Sequence, residues 1–150
     1  DDEIERVFEH VPVATHNQRG LGTLWVGCTE TCPDVVEAEA LLRIVEESMS
    51  AEIYELMKRS DEAEVVEKAH RRPRFVEDCV REAIRMAVDE YRGRLADEAF
   101  VMSRQENLET IHQHNVVAER YGLLGELAQE LTSDHHALRH TTKREWLEGH

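Results

Sequence analysis

A helical repeat between Pro73 and Gly93 limits the possible folds more than any other segment of this chain. Apolar residues recur there every three or four positions, as they do along one face of an amphipathic helix. That face consists of Val76, Val80, Ala83, Ala87 and Tyr91. Proline is common in the first turn of a helix, and glycine commonly ends one. The segment therefore predicts a long helix from Pro73 to about Tyr91 with one buried face.

Three other segments have the pattern of strands. Residues 21–28 alternate between apolar and polar side chains. Residues 98–107 and 110–124 form two further strand-like runs, which predict a hairpin. The sequence therefore predicts an antiparallel sheet that begins before the long helix and is completed after it.

Two more helices are predicted between the first strand and the long helix. One begins at Pro33-Asp34, where Asp34 and Glu37 are spaced like a capping box, and residues 61–70 form the other. Residues 126–150 are polar and show no clear element. The order of strand, helices, strand and strand predicts an α+β sandwich with helices on one face of the sheet. Because such a sheet has open edges, we expect it to assemble with other copies or with a missing half.

The charge of the chain excludes some partners. Eighteen basic residues against 32 acidic ones give a net charge of −14, which repels nucleic acids and anionic membranes. We therefore expect neither as a partner, and no apolar run is long enough to predict a membrane span. A surface this acidic suits a cytoplasm of very high salt, since salt screens the self-repulsion, so we expect a halophilic source.

The cysteines indicate a reducing compartment. Cys28, Cys32 and Cys79 form an odd set, which favours the cytoplasm over a disulfide-stabilised secreted protein. Cys28 and Cys32 have a spacing that could bind a metal. No second Cys or His pair follows at the spacing of a zinc finger, which disfavours a structural zinc site.

Three histidines are candidates for chemistry. His16 lies in the polar segment THNQRG just before the first strand, where a simple polar turn is the alternative. His112 and His114 are two residues apart in a predicted strand, which would put both on one face, roughly 7 Å apart. Such a pair could bind a metal or transfer protons near neutral pH, and a solvated strand face is the alternative.

Two glutamates begin predicted helices, where a carboxylate is stabilised by the helix dipole. Glu77 could in addition accept two parallel hydrogen bonds from the N–H and NH2 of a guanine edge. Glu62 could join a histidine on a divalent metal. Basic residues flank both glutamates, as surface cations or as contacts to a triphosphate: Lys58, Arg59, Arg71, Arg72 and Arg74.

Taken together, four segments resemble the GTP cyclohydrolases of the IB class and, more closely, the archaeal Fe(II)-dependent GTP cyclohydrolases of the methanopterin route. The segments occur in the family's order and spacing: THNQRG (15–20), LLRIVEESMSAEIYELMKRSDEAEVVEKAH (41–70), RPRFVEDCVRE (72–82) and ETIHQHNVVAER (109–120). They cover most of residues 11–125. The resemblance implies a tunnelling fold, in which several α+β modules assemble into a barrel.

The resemblance also implies roles for individual residues. His16 and Glu62 match metal ligands, although Ser60 stands where the IB class usually has proline. The implied metal is Fe(II), with zinc or manganese as alternatives. In the IB class a cysteine upstream of the histidine is a further ligand, and no cysteine precedes His16 here.

The substrate and proton-transfer residues follow from the same motifs. Glu77 matches the glutamate that anchors the guanine edge, and His112 and His114 match the histidines near the reacting imidazole ring. Arg19, Lys58 and Arg59 are the basic residues expected to contact GTP.

The implied organisation is the second tunnelling-fold module of a longer protein (residues 1–125) with a polar tail (residues 126–150). The implied assembly is a homo-oligomer, a dimer or tetramer, with active sites at module interfaces. The implied reaction opens the imidazole ring of GTP, releases formate and gives 7,8-dihydroneopterin 2′,3′-cyclic phosphate. Three alternatives remain: the IB reaction that keeps the triphosphate, another pterin or deazapurine enzyme of this fold, and a non-catalytic purine-binding or assembly module.

Overall fold

The structure, a computed structural model, describes residues 19–29, 34–51, 59–109, 113–133 and 139–149. Its strands are β1 (Arg19–Gly27), β2 (Phe100–Leu108) and β3 (Val116–Leu123). Its helices are α1 (Ala38–Ser48), α2 (Arg59–Arg71), α3 (Val76–Tyr91), α4 (Leu124–Thr132) and α5 (Lys143–Gly149). No helix within these ranges is long and apolar enough to cross a membrane.

The strands form an antiparallel sheet in the order β1-β2-β3. Arg19 pairs with Leu108, and Asn107 pairs with Val116. The start of β1, the end of β2 and the start of β3 therefore lie together at one end of the sheet, which we call the Arg19 end.

The core lies between the sheet and α3. The predicted apolar face of α3 is confirmed, since its five residues are all at most 5% exposed. Tyr91 of α3 and Val101 of β2 are completely buried. Full burial of an apolar side chain such as Val101 stabilises the fold by about 1.5–3 kcal/mol. Gly93 follows α3 with a φ of +79°, a conformation that side chains with a Cβ rarely adopt.

Alternation along the strands separates the two faces of the sheet. Leu24 and Val101 belong to the core on the face that α1, α3 and α4 cover. Phe100, one residue from Val101, points to the opposite face, where Trp146 of α5 packs on it with ring centroids 5.8 Å apart. The predicted α+β architecture, with helices packed on one face of an antiparallel sheet, is confirmed.

Two predictions about helices are wrong. The helix expected to begin at Pro33-Asp34 begins at Ala38, after an N-cap residue, Glu37, that makes no side-chain capping bond. The Asp34 carboxylate instead accepts hydrogen bonds from Val35 N–H and from Arg94 Nε, both at 2.8 Å, which also lower the pKa of Asp34. A contact across the fold has therefore replaced the predicted local cap.

The second wrong expectation is that residues 126–150 contain no element. Most of α4 and all of α5 lie there, and Leu127 and Ala128 of α4 belong to the core. The predicted helix over residues 61–70 is confirmed as α2, and the three predicted strands are confirmed with shifted ends. The proposed division into a module and a tail stays a prediction.

Candidate functional site at the Arg19 end of the sheet

Several chain segments meet at the Arg19 end. The C-terminus of α1 packs on the start of β1, where a Cβ on Gly20 would lie 3.0 Å from Met49 Cε. The N-terminus of α3 joins the same place, since Arg74 Nη1 donates hydrogen bonds to the carbonyls of Glu47 and Ser48 at 3.0 and 2.5 Å. Residues 113–115, which lead into β3, lie at the same end. Four segments that are distant in sequence are thus brought together.

Glu77 is the second residue of α3 and is exposed. Its first turn is held by Asp78, whose carboxylate accepts a hydrogen bond from Phe75 N–H at 3.1 Å. The unbonded amides of a first helical turn create a positive potential that stabilises a carboxylate there. Among the described residues, Glu77 has no hydrogen-bond or ion-pair partner, so its carboxylate is available to a ligand.

Glu77 lies on the rim of a groove of about 680 Å³ between α3, β3 and α4. The arginines around this groove are paired within the protein: Arg81 with Asp78 at 3.2 Å, Arg85 with Glu82 at 2.8 Å, and Arg120 with Glu130. The bonds from Arg85 hold the pKa of the Glu82 carboxyl below its ordinary value. The arginines of the groove are therefore neutralised by carboxylates, and Glu77 has no such partner within the part of the chain that the structure describes.

His114 does not lie in a strand, and this part of the sequence interpretation is wrong. β3 begins only at Val116, and His114 is exposed in the turn that precedes it. The turn is anchored to β2 by Asn115 Nδ2, which donates to Glu106 Oε1 at 3.1 Å. The same-face argument therefore fails for His114, because strand alternation does not extend into the turn. His112 lies outside the described residues.

Arg19 is the first residue of β1 and is exposed at the same end as Glu77 and the turn that carries His114. The structure describes no side-chain position for the other predicted site residues. His16 and Lys58 lie outside the described residues, and Glu62 and Arg59 belong to α2 with side chains outside the description. Within the described part of the chain, no three His, Cys, Asp or Glu residues form a group suited to a metal ion.

The sequence interpretation missed a polar cluster in the core near this end. Gln105 is 3% exposed and donates from Nε2 to Asn107 Oδ1 at 3.1 Å. It lies against Gly20 and Gly22 of β1, where an added Cβ would come within 2.4 and 3.2 Å of its side-chain amide. The signal was the alternation of Ser103, Gln105 and Asn107 on the face of β2 that points to the helices, opposite two glycines.

The two cysteines that the structure describes add little to the candidate site. Cys28 is half-buried and Cys79, in the first turn of α3, is buried. Burial raises the pKa of the Cys79 thiol, so it is protonated near neutral pH and behaves as a small apolar side chain.

Comparison with known proteins supplies the context for this geometry. Residues 3–118, which include every predicted site residue, match a family profile described as Type I GTP cyclohydrolase folE2. The chain is 51% identical over 133 residues to GTP cyclohydrolase MptA of Methanoregula boonei, covering 88% of this chain and 40% of that protein. It is 47% identical over 133 residues to the MptA protein of Methanococcus aeolicus, covering 87% and 41%. The chain thus spans about two fifths of the length of these curated relatives.

Proposed function

The chain belongs to the Type I GTP cyclohydrolase family, and from this premise we propose that the protein of which it forms part hydrolyses the imidazole ring of GTP and releases formate. The observation that carries the proposal is the family match over residues 3–118 together with about 50% identity to proteins named GTP cyclohydrolase. The exposed Glu77, which has no partner among the described residues, supports it, since the proposed substrate needs such an acceptor.

Glu77 is the proposed anchor of the guanine base. Its two carboxylate oxygens accept the N1–H and the 2-amino group in parallel, which fixes both the plane and the direction of the ring. The adjoining groove, at about 680 Å³, is within the usual size range of small-molecule pockets. Fixing the base in this way positions C8 for attack, and catalysis by positioning is the role proposed for Glu77.

The proposed proton-transfer groups are His112 and His114. An imidazole accepts and donates protons near neutral pH, as ring opening and formate release require. The exposure of His114 at the Arg19 end supports its access to a substrate held by Glu77. Arg19, Lys58 and Arg59 are the proposed contacts to the phosphates, since their cations suit oxyanions.

The proposed cofactor is Fe(II), with zinc or manganese as alternatives, and His16 and Glu62 are its proposed ligands in this chain. An imidazole nitrogen and a carboxylate oxygen form a donor set that suits Fe(II). A bound divalent metal lowers the pKa of its water and so supplies hydroxide at neutral pH. Two donors do not complete a site, so the proposal requires further ligands besides His16 and Glu62.

The proposed product is 7,8-dihydroneopterin 2′,3′-cyclic phosphate, made for pterin synthesis in the cytoplasm of a halophilic archaeon. The closer resemblance of the motifs to the archaeal enzymes than to the IB class supports it. The proposed assembly is a homo-oligomer, a dimer or tetramer, with active sites between modules. The exposed side chains of Leu21, Trp25 and Val117 on the face opposite α3 support assembly, because buried apolar surface stabilises it.

The test is formate release from GTP by the complete protein, with and without Fe(II), under anaerobic conditions. Glu77→Gln removes one acceptor and should lower kcat/KM for GTP about 10-fold to 100-fold. The matched control is Glu98→Gln, because Glu98 is an exposed carboxylate beyond the other end of α3. Phosphorus NMR of the product separates a cyclic phosphate from a triphosphate. GTP binding without formate release would refute the proposal in favour of a purine-binding module.

A further inference from the structure

Arg74 was a candidate contact to a triphosphate, but its guanidinium is already occupied. Nη1 donates to the carbonyl oxygens of Glu47 and Ser48 at 3.0 and 2.5 Å, and Nη2 lies 3.9 Å from Glu82 Oε1. The side chain is only 15% exposed. A cation with these partners has little capacity left for a phosphate, so another role must explain its position.

The two carbonyls belong to the C-terminus of α1. The last four carbonyls of a helix have no partner within it, and this end of the helix dipole is negative. The last turn of α1 contains no basic residue that would serve these groups. Arg74, which lies just before α3, therefore supplies the cation that the last turn of α1 lacks. Its hydrogen bond to Ser48 joins the two helices across 26 residues of sequence.

The end of α1 and the segment that carries Arg74 both adjoin residues of the candidate site. On one side, the residue after α1 is Met49, which packs against Gly20 at the start of β1, and Val45 packs against Gly22. On the other side, Arg74 precedes α3 by two residues, and Glu77 is the second residue of α3. The first turn of α3 is capped by two hydrogen bonds between Phe75 and Asp78. Arg74 is thus a polar link between the segment that carries Glu77 and the helix that packs on the start of β1. A second link between these helices, Arg43 to Glu90 at 2.6 Å, lies near the other end of α3.

We propose that Arg74 is a positioning residue that fixes Glu77 relative to the start of β1 by bridging the terminal carbonyls of α1. The inference rests on the proposed function, since Glu77 matters only if it holds a guanine. Both hydrogen bonds come from Nη1, whose two N–H groups lie in the fixed plane of the guanidinium, whereas the ammonium of a lysine is a compact charge on a flexible stem. A displacement of about 1 Å in a group that orients a substrate lowers turnover by up to about 100-fold.

The experiment compares GTP with inosine triphosphate, which lacks the 2-amino group that Glu77 would bind. The complete protein is prepared as wild type, Arg74→Lys, Glu77→Gln and the double variant, with Arg92→Lys as control. Arg92 is exposed at the C-terminal end of α3 and lies outside the proposed site. Formate release gives kcat/KM for each substrate. Arg74→Gln, whose amide ends two bonds short of the Nη1 position and cannot reach both carbonyls, is measured in parallel in case Arg74→Lys is unstable, and it should show the same losses.

If Arg74 positions Glu77, Arg74→Lys lowers kcat/KM for GTP about 10-fold and lowers the preference for GTP over inosine triphosphate. The double variant then loses little more than Glu77→Gln alone, because the two changes damage one function. Arg92→Lys leaves both values unchanged. Additive losses with an unchanged preference would overturn the positioning role while leaving the proposed function intact. An inactive wild-type protein would refute the proposed function and this inference with it.

Discussion

Gly122 shows how a single hydrogen determines the packing of the C-terminal segment. It lies on the face of β3 that points to the helices, and a Cβ there would come within 2.9 Å of His140 Cδ2 and 3.1 Å of Glu126 Oε2. Glu126 cannot easily move, because its carboxylate accepts hydrogen bonds from Leu123 N–H and from Thr141 N–H and Oγ1. The absence of a side chain at Gly122 is therefore required for the 139–142 segment to lie against α4.

Gly122→Ala should consequently lower the free energy of unfolding by about 1–3 kcal/mol, the usual effect of overpacking. The measurement is chemical denaturation. Gly149→Ala is the matched control, since a Cβ at Gly149 would have no atom within 4 Å, and it should be neutral or slightly stabilising. Equal stability of the two variants would show that the segment does not occupy this position.

Glu82 should make the stability depend on pH. Its carboxylate accepts two hydrogen bonds from Arg85, at 2.8 and 3.0 Å, and these hold its pKa below the ordinary 4.5. Because the folded-state pKa is depressed, the contribution is present above about pH 4.5 and is lost as pH falls through the folded value. Glu82→Gln should cost about 0.5 kcal/mol at pH 7, since solvent screens an exposed pair. The difference from wild type should shrink as the pH falls below 4.5 and disappear below the folded pKa of Glu82.

At the scale of elements, regular patterns were predictable and contacts between distant segments were not. The period of 3.6 residues located α3, and the alternation of residues 21–28 located most of β1. Asp34 resembled an N-cap, yet its carboxylate binds Arg94 from a segment 60 residues away. α4 was missed because Leu123 and Leu124 continue the apolar pattern of β3, so the sequence alone does not mark where the strand ends.

In the candidate site too, local patterns were predictable and contacts between distant segments were not. The sequence placed Glu77 at the start of a helix and Arg19 just before a strand, and both positions follow from local pattern. Their roles in a site stay predictions. The prediction that His114 lies in a strand is wrong, because the residue precedes β3 in a turn. The hydrogen bonds from Arg74 to the last carbonyls of α1 could not be predicted, because they depend on how two distant helices pack.

Among the elements, α5 offers a direct test of its packing. Trp146 packs on Phe100 and donates from Nε1 to the carbonyl of Glu98 at 2.9 Å, in space left open by Gly27. Trp146→Ala should therefore lower the free energy of unfolding by about 1–2 kcal/mol, as loss of a partly buried aromatic contact does. The neighbouring Leu147 is 58% exposed, and Leu147→Ala should change the free energy of unfolding by no more than about 0.5 kcal/mol. Similar losses in both would contradict the packing of α5 on the sheet.

For the whole molecule, the acidic surface is the feature that packing does not explain. A net charge of −14 on 150 residues produces repulsion that favours expansion of the chain. At about 1 M salt the screening length falls to about 3 Å, shorter than most separations between surface charges. The local pairs, such as Arg43 with Glu90 at 2.6 Å, weaken as well, so the sign of the salt effect depends on which contribution is larger.

We expect repulsion to dominate, because 32 acidic residues outnumber the 18 basic partners available to them. Raising KCl from about 0.1 to 2 M should then increase the Tm of the protein, with most of the change below about 1 M, where the screening length shortens most. A triple variant with glutamine at Glu37, Glu64 and Glu98, all exposed, removes three negative charges and should reduce this dependence. The same positions changed to aspartate keep the charge and should preserve the wild-type dependence. A Tm that falls with salt, or equal responses of the glutamine and aspartate variants, would contradict a stability limited by net charge.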